Sequence, residues 1–153
     1  MAARVGRTMA DTSFDLQRFV DAQDGGFDDV RAELRAGRKT SHWMWFVFPQ
    51  VAGLGSSAMA RRYAIASLAE ARAYVAHPVL GPRLRECCDL LLQWPGDDAH
   101  AVFGSPDDLK LRSCLTLFDI AAPADVFGRC LRKYFGGAPD AATTRLLAAT
   151  AGG

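Results

Sequence analysis

An aromatic run at residues 43–48, with the sequence WMWFVF, constrains the fold more than any other feature of this chain. It places two of the three tryptophans and two of the nine phenylalanines within six positions. Each buried aromatic side chain removes roughly 150–250 Å² of surface from water and dominates the packing around it. A solvent-exposed loop does not carry so much apolar area. We therefore expect the run to lie in the interior or to line a pocket.

Two secondary structures are compatible with this run. Thr40 and Ser41 can cap a helix, and Pro49 is expected to end that helix near Phe48. A helix over 41–48 is apolar nearly all round and needs cover on most of its faces. The aromatic and β-branched residues favour a strand instead, but the sequence offers no second strand for pairing. We therefore predict a helix over 41–48.

Length and charge exclude several classes of protein. The 153 residues have the length of one domain, half of them are hydrophobic, and the formal net charge is +1. A nearly neutral chain lacks the electrostatic footprint of a general nucleic-acid-binding protein, so nucleic acid is not a predicted partner. No apolar run reaches the roughly 18 residues of a membrane span, so a membrane is not a predicted partner either.

The first twelve residues are predicted to be a disordered tail. They contain Arg4 and Arg7 but no apolar segment of the kind that a secretory signal requires. We therefore expect a cytoplasmic protein. The cysteines agree with that expectation, because they lack the paired CxxC spacing of a zinc site and two of them are adjacent, which is awkward for a structural disulfide. We predict four reduced, buried thiols at positions 87, 88, 114 and 130. No metal or other cofactor is predicted.

Capping and periodicity signals predict an all-α fold. The S-x-x-E form at 67–70 is a capping box that opens a helix over 68–76. The sequence SPDD at 105–108 combines a capping hydroxyl, a first-turn proline and two carboxylates, and predicts a helix over 106–121. Neither βαβ alternation nor an internal repeat is present. The prediction is a single compact domain at 13–150 with about seven to nine short helices.

Polar residues set within apolar sequence are the candidates for chemistry, since no nucleophile elbow, phosphate-binding loop or dinucleotide fingerprint is present. Lys39 and His42 lie three positions apart, just before Trp43 and Trp45. A cation and an imidazole beside tryptophan faces suit a phosphate or carboxylate ligand whose ring can stack. In the alternative interpretation, His42 caps a helix and Lys39 is solvated.

Further candidates come from later in the chain. Gln50 follows a proline, and its amide can contact a ligand or satisfy the backbone of the loop after it. Lys110 and Ser113 fall near one face of the later helix, although a helical serine often bonds to its own backbone. Asp107 and Glu86 are the candidate catalytic acid or base.

A ligand site requires the candidates of the early stretch to meet those of the later helix. Lys39, His42 and Gln50 should then lie near Lys110 or Ser113 in the folded chain. Two lysines repel each other when they are close, so their convergence requires a carboxylate such as Asp107 or Glu86, or a bound anion. Core packing alone would bring the aromatic side chains together and leave the polar groups apart.

Several motifs resemble the signature of one family. The main stretch contains SHWMWF at 41–46, FPQ at 48–50 and GLG at 53–55, and further motifs are FVxAQ at 19–23, HPxLGxRLxE at 77–86, FGxxDxxKLxS at 103–113 and TLF at 116–118. Together they make the chain resemble domain-of-unknown-function family 1810, a mostly bacterial family whose members are often automatically labelled calpastatin. Calpastatin is a long disordered inhibitor, whereas half of this chain is hydrophobic, so that label implies nothing about function.

A second resemblance, in helical character and in polar residues within aromatic runs, is to the NADAR/YbiA-like enzymes. It implies N-glycosidic or ADP-ribose-type substrates, but no catalytic residue of those enzymes maps onto this chain. Two functional hypotheses follow. The first is a protein or enzyme that binds a small phosphorylated or ribosylated metabolite in an aromatic-lined pocket. The second is a non-catalytic interaction module whose aromatic residues are purely structural.

Overall fold

The computed structural model describes residues 14–151 and confirms the all-α prediction. The predicted disordered tail at 1–12 lies outside the described residues. Within them the helices are α1 (Gln17–Asp24), α2 (Phe27–Arg35), α3 (Met44–Val47), α4 (Ala58–Arg62), α5 (Leu68–Ala76), α6 (Leu80–Gln93), α7 (Ala99–Phe103), α8 (Asp107–Ala121), α9 (Val126–Phe135) and α10 (Ala141–Ala151). Three of them, α3, α4 and α7, have only four or five residues.

The long helix α8 lies at the centre of the domain. Seven of its residues are buried, namely Leu111, Ser113, Cys114, Leu115, Thr116, Leu117 and Phe118. It packs against α5, α7, α9 and α10, while α6 packs against α2, α5 and α9. Burial on most sides explains why α8 is apolar over much of its circumference. The described residues therefore share one hydrophobic core, and α8 carries its first turn to the edge of that core.

Capping residues set several helix ends as the sequence predicts. The Ser67 hydroxyl accepts from the Glu70 N–H at 3.1 Å, and the Glu70 carboxylate accepts from the Ala66 N–H at 2.7 Å. This exchange opens α5 at the predicted residue. At its other end α9 stops where Gly136 adopts a left-handed conformation with φ 64°.

The aromatic run is helical over a shorter length than predicted. Only Met44–Val47 forms a helix, because the N–H groups of Thr40 and Ser41 donate to the Glu33 side chain and hold the preceding segment in a different conformation. Beyond Pro49 the chain forms an isolated parallel bridge between Val51 and Ile65. The run itself lies in or against the core, which confirms its predicted burial.

All four cysteines are free and buried, as predicted. Burial raises the pKa of the Cys87 and Cys114 thiols, so both thiols are protonated near neutral pH. None of the helices in residues 14–151 is long and apolar enough to cross a membrane.

Lys133 on α9 caps the carboxyl end of α6. Its ammonium donates to the carbonyls of Leu91 at 2.9 Å and Leu92 at 3.0 Å, and it also contacts the carbonyl of Trp94. These carbonyls lie at the end of α6, where the helix dipole favours a cation. One side chain therefore ties α9 to the end of α6.

We predict that Lys133→Met lowers the free energy of unfolding by roughly 1.5–3 kcal/mol, the usual contribution of hydrogen bonds to a charged group. The neighbouring Arg132 is exposed, and Arg132→Met is the matched control. Urea unfolding of both variants and the wild type measures the difference. Equal stabilities of the two variants would contradict the capping role.

Candidate functional site

The Glu33 carboxylate organises the segment that leads into the aromatic run. Its Oε1 atom accepts from the backbone N–H groups of Thr40 at 2.7 Å and Ser41 at 3.0 Å, and from the Trp43 indole at 3.0 Å. Its Oε2 atom accepts from the Ser41 hydroxyl at 2.6 Å. Four hydrogen bonds thus fix the segment 40–43 against α2.

The charge on Glu33 is strongly favoured in the folded protein. Partial burial on its own raises the pKa of this carboxyl, but the hydrogen bonds from Ser41, Thr40 and Trp43 outweigh that effect and lower the pKa to about 2. Glu33 was not among the residues predicted from the sequence. A signal was present, since an acidic residue near the end of a helix opposes the helix dipole and needs donors to compensate.

Two lysines meet at Asp107, in the first turn of α8. The Lys39 Nζ atom lies 2.8 Å from Asp107 Oδ2, and the Lys110 Nζ atom lies 3.7 Å from Asp107 Oδ1. The Lys39 side chain is only 7% exposed, whereas the Lys110 side chain is 26% exposed. Lys39 also donates to the Ser41 carbonyl. The buried Lys39 therefore forms the shorter ion pair with Asp107, and the more exposed Lys110 forms the longer one.

Each of these lysines also lies over a tryptophan. The Lys39 Nζ atom is 5.0 Å from the centroid of the Trp43 ring, and the Lys110 Nζ atom is 5.3 Å from that of the Trp45 ring. Trp43 is 4% exposed and packs against Phe103 in the core. Trp45 is half-buried and faces a cavity. The two tryptophans consequently differ in role, because only Trp45 can contact a ligand.

Two neighbouring cavities adjoin this cluster. The first, which we name the Lys110 cavity, has a volume of about 450 Å³, and its polar lining includes Gln50, Ser56, Lys110, Arg112, Ser113 and Asp140. The second, named the Trp45 cavity, has a volume of about 310 Å³, and its lining includes Trp45, Gln50, Gly55, Ala60, Arg61 and Tyr63. Both volumes fall in the range of small-ligand pockets.

The structure brings most of the candidate site residues together. Lys39, Lys110 and Asp107 form one cluster, and Gln50, Lys110 and Ser113 line one cavity. The Ser113 hydroxyl donates to the Leu109 carbonyl at 3.2 Å, which is the local bond that a helical serine often makes.

Two candidates lie apart from this cluster. The Glu86 carboxylate accepts from Arg31 at 2.7 Å and joins α6 to α2. His42 is exposed, and its side chain forms no hydrogen bond or ion pair with the described residues. Among residues 14–151, no group of three or more histidine, cysteine or acidic side chains could hold a metal ion.

The arrangement of Asp107 defines what this site can do chemically. A carboxylate that contacts two ammonium groups accepts hydrogen bonds and holds both cations in place. The cluster of Lys39, Asp107 and Lys110 carries one more positive than negative charge, and the surplus lies at the wall of the Lys110 cavity. The site is therefore suited to an anionic group.

We predict that Glu33→Gln destabilises the protein by roughly 1.5–3 kcal/mol near pH 7, because hydrogen bonds to an ionised group are lost. The folded pKa of Glu33 is about 2 and its ordinary value is 4.5. A group with a lowered folded pKa stabilises the protein above its unfolded pKa, and this stabilisation disappears as the pH falls through the folded pKa. The stability gap between wild type and variant should thus be full above about pH 4.5 and close towards about pH 2.

Urea unfolding at several pH values measures that gap. Asp89→Asn is the control, since Asp89 is an exposed carboxylate on α6. A gap that is absent at pH 7, or that stays constant on acidification, would contradict the role assigned to Glu33.

Comparisons with known proteins agree with this fold and with the predicted family. The sequence profile of the family described as protein of unknown function (DUF1810) matches residues 13–147. The chain is similar to the conserved hypothetical protein Rv1873 from Mycobacterium tuberculosis, with 55% sequence identity. The crystal structure of that protein at 1.38 Å matches this fold with a TM-score of 0.87. The alignment covers 89% of this chain and 98% of that one. A comparison with curated proteins found no match. The chain belongs to the DUF1810 family of proteins of unknown function.

Proposed function

We propose that this protein binds a small phosphorylated or ribosylated metabolite, of the NAD or ADP-ribose type, in the Lys110 cavity. The observation that carries the proposal is the sharing of Asp107 between two lysines. Lys39 takes the short contact of 2.8 Å, and Lys110 keeps a contact of 3.7 Å. The Lys110 ammonium is therefore weakly compensated, and an anion in the cavity would complete its coordination.

The position of Lys110 supports this role. Its ammonium lies over the Trp45 ring, which screens one side of the charge from water. Interactions with an anion are stronger where solvent is partly excluded. Lys39 is buried and forms an ion pair with Asp107, so it holds that carboxylate in place and does not contact the ligand.

The other charged residues of the Lys110 cavity leave its net charge positive. Arg112 donates its Nε–H to the Ala138 carbonyl at 2.9 Å, and its other guanidinium N–H groups form no hydrogen bond with the described residues. The Asp140 carboxylate accepts from the Thr143 N–H at 2.9 Å and from the Thr143 hydroxyl at 2.6 Å. Lys110 and Arg112 outnumber Asp140, so the polar lining retains a net positive charge.

The proposal concerns binding, and it assigns Asp107 the task of holding two cations. Glu86, the other candidate acid or base, is engaged with Arg31 on a different part of the structure. The alternative is an interaction module whose aromatic residues are purely structural, and an exposed apolar patch would favour it. The large apolar side chains exposed among the described residues are Leu109, at 57%, which lines the Lys110 cavity, and Ile120, at 37%, and two such side chains do not form a patch. The site geometry thus favours a small ligand over a protein partner.

We predict that saturating ADP-ribose raises the melting temperature of the wild type. A ligand present at 100 times its Kd stabilises the native state by about 2.7 kcal/mol, which corresponds to roughly 5–10 °C for a domain of this size. Lys110→Met should lose most of this shift because it removes the weakly compensated cation. Thermal denaturation with and without ADP-ribose, ribose 5-phosphate and pyrophosphate measures the effect.

Arg72→Met is the matched control for that experiment. Arg72 is an exposed cation on α5 and lines neither cavity, so its removal changes the net charge equally and should leave the ligand-induced shift intact. If none of the three compounds shifts the melting temperature of the wild type, the metabolite proposal fails and the interaction module becomes the better hypothesis. If both variants lose the shift equally, the effect is one of net charge.

A further inference from the structure

The Lys110 cavity and the Trp45 cavity share a wall. Gln50, Gly55 and Ala60 line both of them. That wall is closely packed at Gly55, where an added Cβ atom would meet the Ala60 Cβ atom at 2.6 Å. Gln50 therefore borders both cavities, and a ligand that occupied both of them would pass its side chain. This deeper description of the site rests on the proposed function.

The two cavities differ in chemistry. The Lys110 cavity supplies cations, as described above. The Trp45 cavity is walled by two aromatic side chains, Trp45 and Tyr63, and by small residues that include Ala52, Gly53 and Ala64. Arg61 adds a guanidinium, which stacks well on planar rings. A lining of aromatic and small residues suits a flat heterocyclic ring.

Gln50 lies between these two environments, and its side chain is available to a ligand. Its backbone carbonyl accepts from the Ile65 N–H at 2.9 Å, so the isolated bridge fixes the position of the residue. Its side-chain amide forms no hydrogen bond with any described residue. An amide offers an N–H donor and a carbonyl acceptor side by side.

The amide selects for a particular kind of ring edge. A glutamine forms two simultaneous hydrogen bonds with the adenine edge, where the amino group donates and the adjacent ring nitrogen accepts. When the base presents its N7 edge, guanine offers two acceptors there and leaves the glutamine carbonyl without a partner. An unmatched polar group in a partly buried site reduces affinity.

We infer that the site takes an adenine nucleotide, with its base in the Trp45 cavity, the N6/N7 edge of that base on Gln50 and its phosphates at Lys110, so that Gln50 selects adenine over guanine. The arrangement places the neutral amide at the base and the cation at the phosphates, with the shared wall between them. The ligand class is thus narrower than a phosphorylated metabolite in general.

Isothermal titration calorimetry with ADP, GDP and ribose 5-phosphate tests this inference. ADP should bind the wild type roughly tenfold or more tightly than GDP, because one bidentate contact of this kind discriminates between bases by that order. Gln50→Leu should bring the ratio of the two affinities close to one. Gln93→Leu, at an exposed glutamine on α6, is the control and should keep the wild-type ratio.

The outcomes separate this inference from the proposed function. Binding of ribose 5-phosphate together with equal affinities for ADP and GDP would overturn the adenine assignment and leave the anion site standing. Absence of binding by all three compounds would remove both. An unchanged ratio in Gln50→Leu would overturn the role of Gln50. Gln50→Glu, which keeps the side-chain length and removes the N–H donors, replaces Gln50→Leu if that variant does not fold, and it should also lose the preference for ADP.

Discussion

The ion pair between Lys39 and Asp107 joins the early aromatic segment to the central helix. With a side chain only 7% exposed, Lys39 has lost most of its hydration, and a charge in that position is costly unless a counter-charge contacts it. Asp107 supplies the counter-charge from the first turn of α8. Segment and helix therefore have to stay together at this contact, which also fixes the acceptor that Lys110 shares.

A second carboxylate makes this pairing possible. Glu33 holds the segment 40–43 through four hydrogen bonds, and the backbone N–H of Lys39 donates to the Val102 carbonyl at 2.8 Å. These contacts bury Trp43 and aim the Lys39 ammonium at Asp107. Lys110 then shares the Asp107 carboxylate, which already contacts Lys39. The positive charge of the Lys110 cavity is thus a consequence of packing, and it does not come from any local phosphate-binding motif.

Local sequence predicted much of the fold because helix ends are encoded by nearby residues. The capping box at Ser67 set the start of α5, and α8 begins within one residue of its prediction. The aromatic run was predicted to form a longer helix than it does, because the competing acceptor, Glu33, belongs to another helix. The cluster at Asp107 followed from a charge argument, and Glu33 was missed although its place near the end of α2 was a local signal. The presence of Asp140 in the Lys110 cavity depends on a long-range contact, from its backbone N–H to the Thr116 hydroxyl, that no local pattern encodes.

The crystal structure of the protein with ADP bound tests the account most directly. We expect the diphosphate within hydrogen-bonding distance of the Lys110 ammonium, the adenine ring against Trp45, and the Gln50 amide on the N6/N7 edge of the base. Lys39 should keep its contact with Asp107 and should not touch the nucleotide. If both cavities are empty at saturating ADP, or if the nucleotide binds elsewhere on the protein, the proposed nucleotide site is contradicted.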